Sequence, residues 1–516
     1  MSLLPLSDLL QGIAGASVSS GAQAILIREV CDDSRLVQPG DLFVAVPGTK
    51  LDGRRFIEEA TAKGAAAILT EESGIAPEST AAWVIVGNVR HALGLVAANR
   101  YQAAEALTLS AVTGTNGKTT TTYLVEAILA AAGRQAGVIG TVGYRFAGKV
   151  QEAPLTTPGA LQLHALFAQM RDGGCSDVVL EASSIALDQG RLHGCCFRVA
   201  GLSNITQDHL DYHGTMERYR AAKAVLFREL LSAKRGVAVL FTDDEAGRAM
   251  RQAVRGPVLT LTRQGKGADV AVLDRRLGAN GIALRLATPS GRLELKSPLV
   301  GEFNLANILL ATGMALAHGL DRAAIATGIN QVTGVPGRLQ RVPNAAGVLC
   351  LVDYAHTPDA LERALDVLRP LTSGRLLLVF GCGGDRDTSK RPLMGQAAAQ
   401  RADVVLVTSD NPRTEQPDAI LDMIVPGVEK AGSVRRTASE LRQGLSGFHV
   451  EADRRVAIEL GVALAQPGDA LLIAGKGHED YQILGSQKVH FDDREVAVTA
   501  FAARTGRPPV DPGGNA

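Results

Sequence analysis

One segment constrains the fold more than any other. It is the glycine-rich turn Thr113-Gly114-Thr115-Asn116-Gly117-Lys118-Thr119-Thr120, between a predicted strand and a predicted helix. The run LTLSAV precedes it, and KTTTTYLVEAILAAAG follows it with apolar residues at helical spacing. In this context the backbone N–H groups, the helix N-terminus and the lysine bind phosphate oxygens, and the next threonine can reach Mg²⁺. Val112 stands where the general motif has glycine, so the loop is a shortened variant. The segment predicts a nucleotide-binding α/β domain.

A different pattern follows the Pro-Gly-Arg at 336–338. Four continuous apolar runs occur there: LCLVD (349–353), LLLVF (376–380), VVLVT (404–408) and ALLIA (470–474). Such runs are buried on both faces, which is typical of a parallel sheet covered by helices. Earlier strands are predicted at 42–46, 65–69, 177–181 and 237–241, a β-hairpin at 268–296, and helices at 89–105 and 304–319.

A chain of 516 residues has room for about three domains. We predict an α/β protein with a small first domain over 1–103 and a central phosphate-loop domain over 104–335. A Rossmann-like domain is predicted over 336–505 and a disordered tail over 506–516. Each strand of the last domain ends in a polar or glycine-rich loop, which is where ligands bind in open α/β sheets.

Composition excludes several classes of protein. Lys plus Arg and Asp plus Glu both number 53, so no general attraction to nucleic acid or anionic membranes is encoded. The six cysteines include no CxxC pair and are too few for a disulfide framework, which favours free thiols in a reducing cytosol. The N-terminus lacks the basic start of a signal peptide, and no apolar run could span a bilayer. We expect a cytoplasmic protein without nucleic-acid binding or membrane insertion.

Three further features carry possible chemistry. Glu181 ends the run DVVLE, where a carboxylate beside a phosphate loop is well placed to hold Mg²⁺; a solvent-facing glutamate is the alternative. The segment Asn204-Ile-Thr-Gln-Asp-His-Leu-Asp-Tyr-His213 is dense in polar groups, of which Asp208 or His209 could serve a metal or a substrate. Lys223 lies on a helical run, and from the residues alone a solvated charge is its simpler interpretation.

The motifs together resemble a known family. In chain order they are TGTNGKTT, EASS, NITQDHLDYHG with Lys223, GEFNLAN (301–307), PGR, DYAHTPDA (353–360), GCGGDRDTSKRP (381–392), SDNPRTE (409–415) and AGKGHEDYQ (474–482). This set resembles the Mur ligases of bacterial cell-wall synthesis over nearly the whole chain, including DDSR at 32–35. The resemblance implies a uridine-nucleotide domain, a central ATPase domain and a Rossmann-like domain that brings an amino acid.

The activity that the resemblance implies is ATP-driven amide formation in peptidoglycan precursor synthesis. The D-glutamate γ-carboxylate of UDP-N-acetylmuramoyl-L-alanyl-D-glutamate would take the γ-phosphoryl group of ATP. The amine of meso-2,6-diaminopimelate would then attack the acyl phosphate and release phosphate. Phosphorylation turns a poor electrophile into a good one, and Mg²⁺ and lysine offset the developing charge. A monomer acting on small molecules is expected.

The resemblance also implies roles for individual residues. The expected catalytic residues are Lys118, Glu181, His209 and Lys223. The expected ATP-binding residues are Thr113, Gly114, Thr115, Asn116, Gly117, Lys118, Thr119, Thr120, Asn304, Arg338, Asp353 and His356. Those expected to bind the UDP-muramoyl dipeptide are Ser34, Thr49, Lys50, Leu51, Thr156, Thr157, Ser183, Gln189 and Arg191. Those expected to bind diaminopimelate are Arg386, Asp410, Asn411, Pro412, Arg413, Gly475 and Glu479. The expected Mg²⁺ ligands are Thr119, Glu181, His209 and Lys223, the last as a carbamate formed with CO₂.

Two other functions would also use a phosphate loop of this kind. Folylpolyglutamate synthetase has the same ATPase core but lacks the DNPR loop and normally lacks the uridine-binding first domain. A phosphate-loop regulatory switch would not need GCGGDRD, DNPR and GKGHED at successive strand ends of a separate domain. A switch would also hydrolyse ATP without the amino acid and the UDP-muramoyl dipeptide.

Overall fold

The computed structural model describes residues 3–48, 52–71 and 81–508. The fold is α/β, as predicted, with three main sheets of five, eleven and six strands. The chain divides into two compact units. One comprises residues 1–274, 285–294 and 306–329, and the other comprises 275–284, 295–305 and 330–516. The predicted domain boundaries near 103, 335 and 505 stay predictions, and most of the predicted tail, 509–516, lies outside the described residues.

The N-terminal part of the chain forms the five-stranded sheet. Its strands lie in the order Ser17–Val18, Ala82–Ile85, Ala67–Thr70, Leu42–Val44 and Val30–Cys31, and only the first pair is antiparallel. Leu4–Pro5 pairs separately with Leu26–Ile27. The α-helices are Leu6–Leu9, Ile57–Ala62 and Val89–Tyr101, with 3₁₀ turns at Ala22–Ala24, Ser34–Leu36, Gly53–Phe56 and Ala104–Ala106. The helix predicted to reach residue 105 ends at Tyr101, because Gln102 adopts a left-handed φ of 46°.

The central part carries the eleven-stranded sheet. In order across the sheet its strands are Lys149–Gln151, Gly143–Phe146, Ala136–Gly140, Asp177–Glu181, Thr108–Thr113, Val199–Leu202, Val237–Phe241, Val258–Thr262, Val270–Gly278, Gly281–Thr288 and Gly291–Ser297. The seven strands from Ala136–Gly140 to Val270–Gly278 pair in parallel. Their carboxyl ends therefore share one edge, where ligands bind in such sheets.

The helices of this part are Lys118–Ala131, Ala160–Asp172, Ser184–Asp188, Leu210–His213, Met216–Val225, Glu245–Arg251, Glu302–Ala317 and Arg322–Gln331. Met216–Val225 continues into a π-helical turn, Leu226–Leu230. A core that includes Leu109, Val178 and Phe167 lies between sheet and helices.

The C-terminal part is a parallel sheet with one antiparallel edge. Its strands lie in the order Gln340–Arg341, Leu349–Asp353, Ala470–Ala474, Leu376–Phe380, Val404–Val407 and Gly447–Val450. The α-helices are Pro358–Leu368, Lys390–Arg401, Pro417–Lys430, Ala438–Arg442, Arg454–Leu464 and Asp493–Thr505, with a 3₁₀ turn at Arg369–Leu371. A hairpin, Tyr481–Leu484 with Gln487–His490, follows the strand Ala470–Ala474.

Sequence patterns located part of these elements. Five predicted strands have the predicted bounds: 177–181, 237–241, 349–353, 376–380 and 470–474. The hairpin around Pro-Ser-Gly is present as Gly281–Thr288 and Gly291–Ser297. Within the described ranges, no helix is long and apolar enough to cross a membrane. All six cysteines are free, and five of them are buried.

Candidate functional site

The phosphate loop, residues 113–120, joins the strand Thr108–Thr113 to the helix Lys118–Ala131. Gly114 and Gly117 have φ values of 147° and 85°, which residues with side chains rarely adopt. A Cβ on Gly114 would lie 2.0 Å from Ser203 Oγ, and one on Gly117 would lie 2.2 Å from Asn307 Oδ1. The loop path therefore requires both glycines. Because the first turn of a helix leaves its N–H groups without intrahelical partners, the loop presents donors to an anion.

The start of the motif at 204–213 supports this loop. Thr115 N donates to the carbonyl of Asn204 at 2.9 Å, and Asn116 N donates to Asn204 Oδ1 at 3.0 Å. Thr115 Oγ1 donates to the carbonyl of Thr206 and lies 3.0 Å from the Tyr219 hydroxyl. These residues hold the backbone of the loop.

Two lysines share one carbonyl of the loop. Lys118 Nζ donates to the carbonyls of Gly114 and Thr115 at 2.9 and 2.8 Å, and Lys223 Nζ donates to that of Gly114 at 2.9 Å. Lys223 is 1% exposed and its Nζ lies 4.4 Å from the centroid of the Tyr219 ring. Burial, and to a smaller extent repulsion by Lys118, lowers the pKa of Lys223 well below its usual value. The interpretation of Lys223 as a solvated charge is therefore wrong.

Glu181 is the centre of an oxygen cluster beside the loop. Glu181 Oε2 accepts hydrogen bonds from Thr119 Oγ1 at 3.1 Å and Thr141 Oγ1 at 3.0 Å, while Oε1 accepts one from Thr141 N at 2.9 Å. The side chain is buried, so the alternative of a solvent-facing glutamate is wrong. A Cβ on Gly140 would lie 2.3 Å from Glu181 Oε1, which leaves room only for glycine there.

The residues predicted to hold the muramoyl dipeptide form a connected strip from this cluster. Thr156 Oγ1 lies 3.1 Å from Thr141 Oγ1, and Thr157 Oγ1 bonds to both the carbonyl of Glu181 and the Ser183 side chain. Arg191 Nη1 donates to the carbonyl of Thr157 at 2.9 Å, and its Nε and Nη2 donate to Gln189 Oε1 at 3.1 and 2.6 Å. The structure thus brings Thr156, Thr157, Ser183, Gln189 and Arg191 together.

His209 is placed differently from the other predicted metal ligands. Its side chain is 46% exposed, and its Nε2 lies 3.6 Å from Asp208 Oδ2. Its ring centroid is 6.4 Å from that of Tyr219, the same ring that Lys223 faces. His209 also has a left-handed φ of 51°, just before the short helix Leu210–His213. The structure places it near Lys223 through Tyr219, not in direct contact with Glu181.

Of the residues predicted to bind the uridine nucleotide, only Ser34 lies within the described part of the chain. Ser34 Oγ donates to Glu59 Oε2 at 2.8 Å, and Lys63 Nζ donates to the carbonyl of Ser34 at 3.0 Å. Thr49, Lys50 and Leu51 lie outside the described residues.

The remaining predicted ATP-binding residues belong to the second compact unit. Asp353 accepts hydrogen bonds from Leu339 N at 2.7 Å and Ala355 N at 2.9 Å, and burial raises its pKa although Arg338 opposes the shift. His356 Nδ1 lies 2.8 Å from the carbonyl of Tyr354, and Arg338 lies over the Tyr354 ring. Arg338, Asp353 and His356 therefore form one group. Asn304 is buried and donates to the carbonyl of Val300 at 2.8 Å.

Arg413 is fixed by both its backbone and its side chain. Arg413 N donates to the carbonyl of Ile483, and its own carbonyl accepts from Gly485 N. Arg413 Nη1 donates to the carbonyl of Gly384 at 2.7 Å. A Cβ on Gly383 would lie 3.0 Å from Arg413 Nη1 and 3.8 Å from Arg386 Cγ, so the two predicted arginines flank this glycine.

The partner of Glu415 is Arg391, not Arg413. Arg391 is fully buried, and its Nη1 and Nη2 donate to the two oxygens of Glu415, both at 2.8 Å. This bond holds the pKa of Glu415 at about 2. Asp385 N donates to Glu415 and the Asp385 side chain accepts from Thr414, so the loops 381–391 and 409–415 are joined. An ion pair between Arg413 and Glu415, which their closeness in sequence would suggest, is therefore not formed.

The other predicted amino-acid ligands surround a buried lysine. Asn411 Nδ2 donates to Glu479 Oε2 at 2.8 Å, and Lys476 Nζ lies 3.6 Å from the same oxygen. Asp410 is 7% exposed, and a Cβ on Gly475 would lie 2.9 Å from its Oδ2. Burial raises the pKa of Glu479, the Asp410 charge adds to the rise, and Lys476 opposes it. Asp410, Asn411, Gly475 and Glu479 thus form one group, and Pro412 joins it to Arg413.

The donor atoms of the phosphate-loop site suit Mg²⁺. Across residues 3–48, 52–71 and 81–508, no three His, Cys, Asp or Glu side chains converge as a ready-made metal site. The site instead offers a carboxylate from Glu181 and hydroxyls from Thr119 and Thr141, and Mg²⁺ prefers oxygen and binds through few carboxylates. The residues present fit the ion.

Sequence analysis missed several residues of these sites. Thr141 follows the strand Ala136–Gly140, which was not predicted, although the rule that ligands bind at strand carboxyl ends would have indicated it. Tyr219 and Asn307 contact the phosphate loop from distant segments. Asn307 lies within the quoted motif GEFNLAN, but the sequence does not indicate this contact. Lys476 lies within a quoted motif, but nothing in the sequence distinguishes a buried lysine there.

Three family models match the chain. They are the Mur ligase family, catalytic domain, over 26–101, the Mur ligase middle domain over 112–315, and the Mur ligase, glutamate ligase domain, over 337–477. The chain belongs to the Mur ligase family and is a three-domain, ATP-dependent ligase.

Two relatives and one solved structure that are similar to this chain carry the same enzyme name. The UDP-N-acetylmuramoyl-L-alanyl-D-glutamate–2,6-diaminopimelate ligase of Gloeobacter violaceus is 47% identical over 483 residues, which cover 93% of this chain and 95% of the relative. The ligase of the same name from Geobacter metallireducens is 44% identical over 507 residues, covering 96% and 98%. A solved structure of a ligase of that name is 34% identical with a TM-score of 0.73, covering 98% of this chain and all of the other.

Proposed function

We propose that the protein joins meso-2,6-diaminopimelate to the D-glutamate γ-carboxylate of UDP-N-acetylmuramoyl-L-alanyl-D-glutamate in peptidoglycan precursor synthesis. The observation that carries the proposal is 47% identity, over 93% of the chain, to a ligase named for these two substrates. The family match over 26–101 supports a uridine-nucleotide domain and argues against folylpolyglutamate synthetase. The zero net charge favours small-molecule substrates over nucleic acid. We also propose that the protein acts as a monomer in the cytoplasm.

The first half-reaction is assigned to the phosphate loop and its neighbours. The D-glutamate carboxylate attacks the γ-phosphorus of ATP, the bond to the β-phosphate oxygen breaks, and an acyl phosphate and ADP result. Lys118 offsets charge on the transferred phosphoryl group, and loop N–H groups hold the other phosphates. Mg²⁺, when bound, supplies further positive charge, and Thr119, Glu181, His209 and a carbamate on Lys223 would hold it. Asn304, Arg338, Asp353 and His356 are assigned to the rest of ATP.

The carbamate is supported by the state of Lys223. Only a neutral amine can attack CO₂, and burial favours the neutral form of this lysine. The amine lone pair forms the N–C bond, the nitrogen loses a proton, and a carboxylate results. The product is an oxygen ligand that suits Mg²⁺, whereas an ammonium group would repel the ion.

The second half-reaction needs both substrates held in place. Thr156, Thr157, Ser183, Gln189 and Arg191 are assigned to the muramoyl dipeptide, with Ser34 and the turn at 49–51 on the uridine diphosphate. The second set, Arg386, the loop Asp410-Asn411-Pro412-Arg413, Gly475 and Glu479, is assigned to diaminopimelate. The amine of diaminopimelate attacks the acyl carbon of the acyl phosphate. The bond between that carbon and the phosphate oxygen breaks, and the nitrogen loses a proton. The guanidinium groups of Arg386 and Arg413 suit the carboxylates of diaminopimelate, and the carboxyl groups of Asp410 and Glu479 suit its free ammonium group.

An amino-acid panel tests the proposal. The protein is incubated with ATP, UDP-N-acetylmuramoyl-L-alanyl-D-glutamate and one amino acid at a time, and product is read by mass. We expect product with meso-diaminopimelate, little with L-lysine, and phosphate release that requires both acceptor and amino acid. ATP hydrolysis without either substrate would instead identify a regulatory switch.

Replacing Arg413 by alanine is expected to weaken diaminopimelate binding selectively. meso-Diaminopimelate differs from lysine by one carboxylate. The Arg413 guanidinium is suited to that group, because it is bonded to the Gly384 carbonyl and extends from a backbone that the hairpin holds. Loss of one partner of a buried charge pair costs about 2–5 kcal/mol, so KM for diaminopimelate should rise by roughly 30-fold or more. KM for ATP and for the UDP-dipeptide should change little.

The exposed Arg442 of the same part of the chain provides the control, because Arg442→Ala removes an equal charge outside the assigned pocket. An unchanged KM for diaminopimelate in Arg413→Ala, or equal use of lysine and diaminopimelate by the wild type, would overturn the assignment.

A further inference from the structure

We propose that Lys476 is a positioning residue for the incoming amino acid. Its buried ammonium holds Glu479 and Asn411 and leaves the acidic end of the pocket with one net negative charge. The acidic end consists of Asp410, Asn411, Lys476 and Glu479. The inference rests on the proposed function, in which this end receives the free ammonium of diaminopimelate.

Lys476 is buried and lies between two glycines with left-handed backbone conformations. It lies between Gly475 and Gly477, whose φ values are 117° and 57°, directly after the strand Ala470–Ala474. Its side chain is fully buried. A lysine buried to this extent requires partners, because an unpaired buried ammonium is strongly unfavourable.

The partners of Lys476 are the polar groups of the pocket. Lys476 Nζ donates to the carbonyl of Tyr481, lies 3.4 Å from Asn411 Oδ1 and lies 3.6 Å from Glu479 Oε2. Asn411 Oδ1 also accepts from Ile483 N, while Asn411 Nδ2 donates to Glu479 Oε2 at 2.8 Å. The three side chains form a closed set of contacts, so the ammonium fixes both the amide and the carboxylate.

The charges at the acidic end do not balance. Asp410 and Glu479 bring two carboxyl groups to this end, and Lys476 brings one amino group, whose pKa burial lowers and the Asp410 charge raises. Asp410 Oδ1 is buried and has no hydrogen-bond partner among the described residues. Within this set, one further cation would complete the pairing, and an ammonium group of the substrate has that charge.

The other charged groups around this end are already paired or neutral. Arg454 and Asp493 are both fully buried and form two hydrogen bonds with each other, at 2.7 and 2.6 Å. Arg454 also donates to the carbonyls of Ser409 and Ala474, next to Asp410 and Gly475. Burial raises the pKa of the Tyr354 phenol, over whose ring Arg338 lies. Burial also lowers the pKa of His356, a shift that the Asp410 charge opposes, and raises the pKa of the Cys382 thiol.

The pH dependence follows from the sign of each effect. Burial and Asp410 raise the pKa of Glu479, and Lys476 opposes that rise. Without the ammonium the pKa of Glu479 rises further, so its ionised form appears only at higher pH. Because an ammonium binds the ionised form, the acid limb of kcat/KM for diaminopimelate should move to higher pH.

The test compares Lys476→Met with the wild type in the complete reaction, across a range of pH. At neutral pH we expect KM for diaminopimelate to rise by about 30-fold or more, with little change in KM for ATP. We also expect the acid limb of kcat/KM for diaminopimelate to shift upward by about one pH unit or more, a typical size for loss of a neighbouring opposite charge. A purely structural role would lower activity at every pH without moving this limb.

Two further variants sharpen the result. Lys488→Met removes an exposed lysine beside the same Tyr481 ring and should leave both quantities unchanged. Lys476→Arg keeps a cation, so it should retain the wild-type acid limb even where its KM rises; it also serves if Lys476→Met fails to fold. Two results would contradict the inference. One is an acid limb of kcat/KM that shifts equally in Lys476→Met and Lys476→Arg. The other is an acid limb that does not shift in a folded Lys476→Met variant. A wild type that ligates no diaminopimelate contradicts the proposed function instead.

Discussion

Lys118→Ala is expected to lose ligation by at least about 100-fold while remaining folded. The Lys118 ammonium bonds to two carbonyls of the phosphate loop, those of Gly114 and Thr115, and is assigned to the transferred phosphoryl group. Loss of one preorganised group that stabilises transition-state charge typically costs 10²–10³-fold in kcat. Ligation is measured as product mass and phosphate release, and folding as the midpoint of thermal unfolding.

Lys149, exposed on the strand Lys149–Gln151, supplies the matched control. Lys149→Ala should ligate at the wild-type rate. Near-normal turnover in Lys118→Ala would remove the phosphate loop from the mechanism.

Lys223→Ala is expected to be almost inactive, with a loss of at least about 100-fold that a small carboxylate partly restores. If Lys223 acts as a carbamate, the alanine variant lacks a charged oxygen ligand and has an open space where a formate or acetate ion can enter. Activity is measured with increasing formate or acetate at constant ionic strength.

Lys234, which is exposed, gives the control variant Lys234→Ala, and the same salts should not stimulate it. Mass spectrometry of the wild-type protein under CO₂, after trapping of labile adducts, should show the carbamate on Lys223. Full activity of Lys223→Ala without added carboxylate would exclude a role in the reaction.

The sequence predicted those parts of the fold whose signal is local. Strands buried on both faces read as continuous apolar runs, which is why Asp177–Glu181 and Leu376–Phe380 were located with their observed bounds. The strand Val199–Leu202 was missed because it is short and contains Gly201. A Cβ on Gly201 would lie 2.9 Å from the sulfur of Met314, which is more than a hundred residues away in the sequence. Glycine is therefore required at this position by tertiary packing.

The same division applies to the candidate site. The phosphate loop was identified because its glycines, lysine and threonine are contiguous and their spacing reports the chemistry. Lys223 was not identifiable from its own helix, since its burial depends on Gly114, 109 positions earlier. The partner of Glu415 was not identifiable from the sequence for a similar reason, because Arg391 lies on a helix 24 positions earlier. The fold determines which charged residues pair, so closeness in sequence predicts ion pairs poorly.

The joined loops around Arg413 have a consequence for the thermodynamics of substrate binding. Arg391–Glu415, Asp385–Thr414 and the backbone bonds of Arg413 fix both loops of the proposed amino-acid site through contacts within the chain. Little conformational entropy is then lost when the amino acid enters, so more of the interaction energy appears as affinity. A variant that loosens the loops without touching a ligand, such as Thr414→Val, should bind diaminopimelate with a less favourable entropy in calorimetry. Discrimination between amino acids would fall in parallel, because a pocket that can rearrange rejects the wrong ligand less strongly.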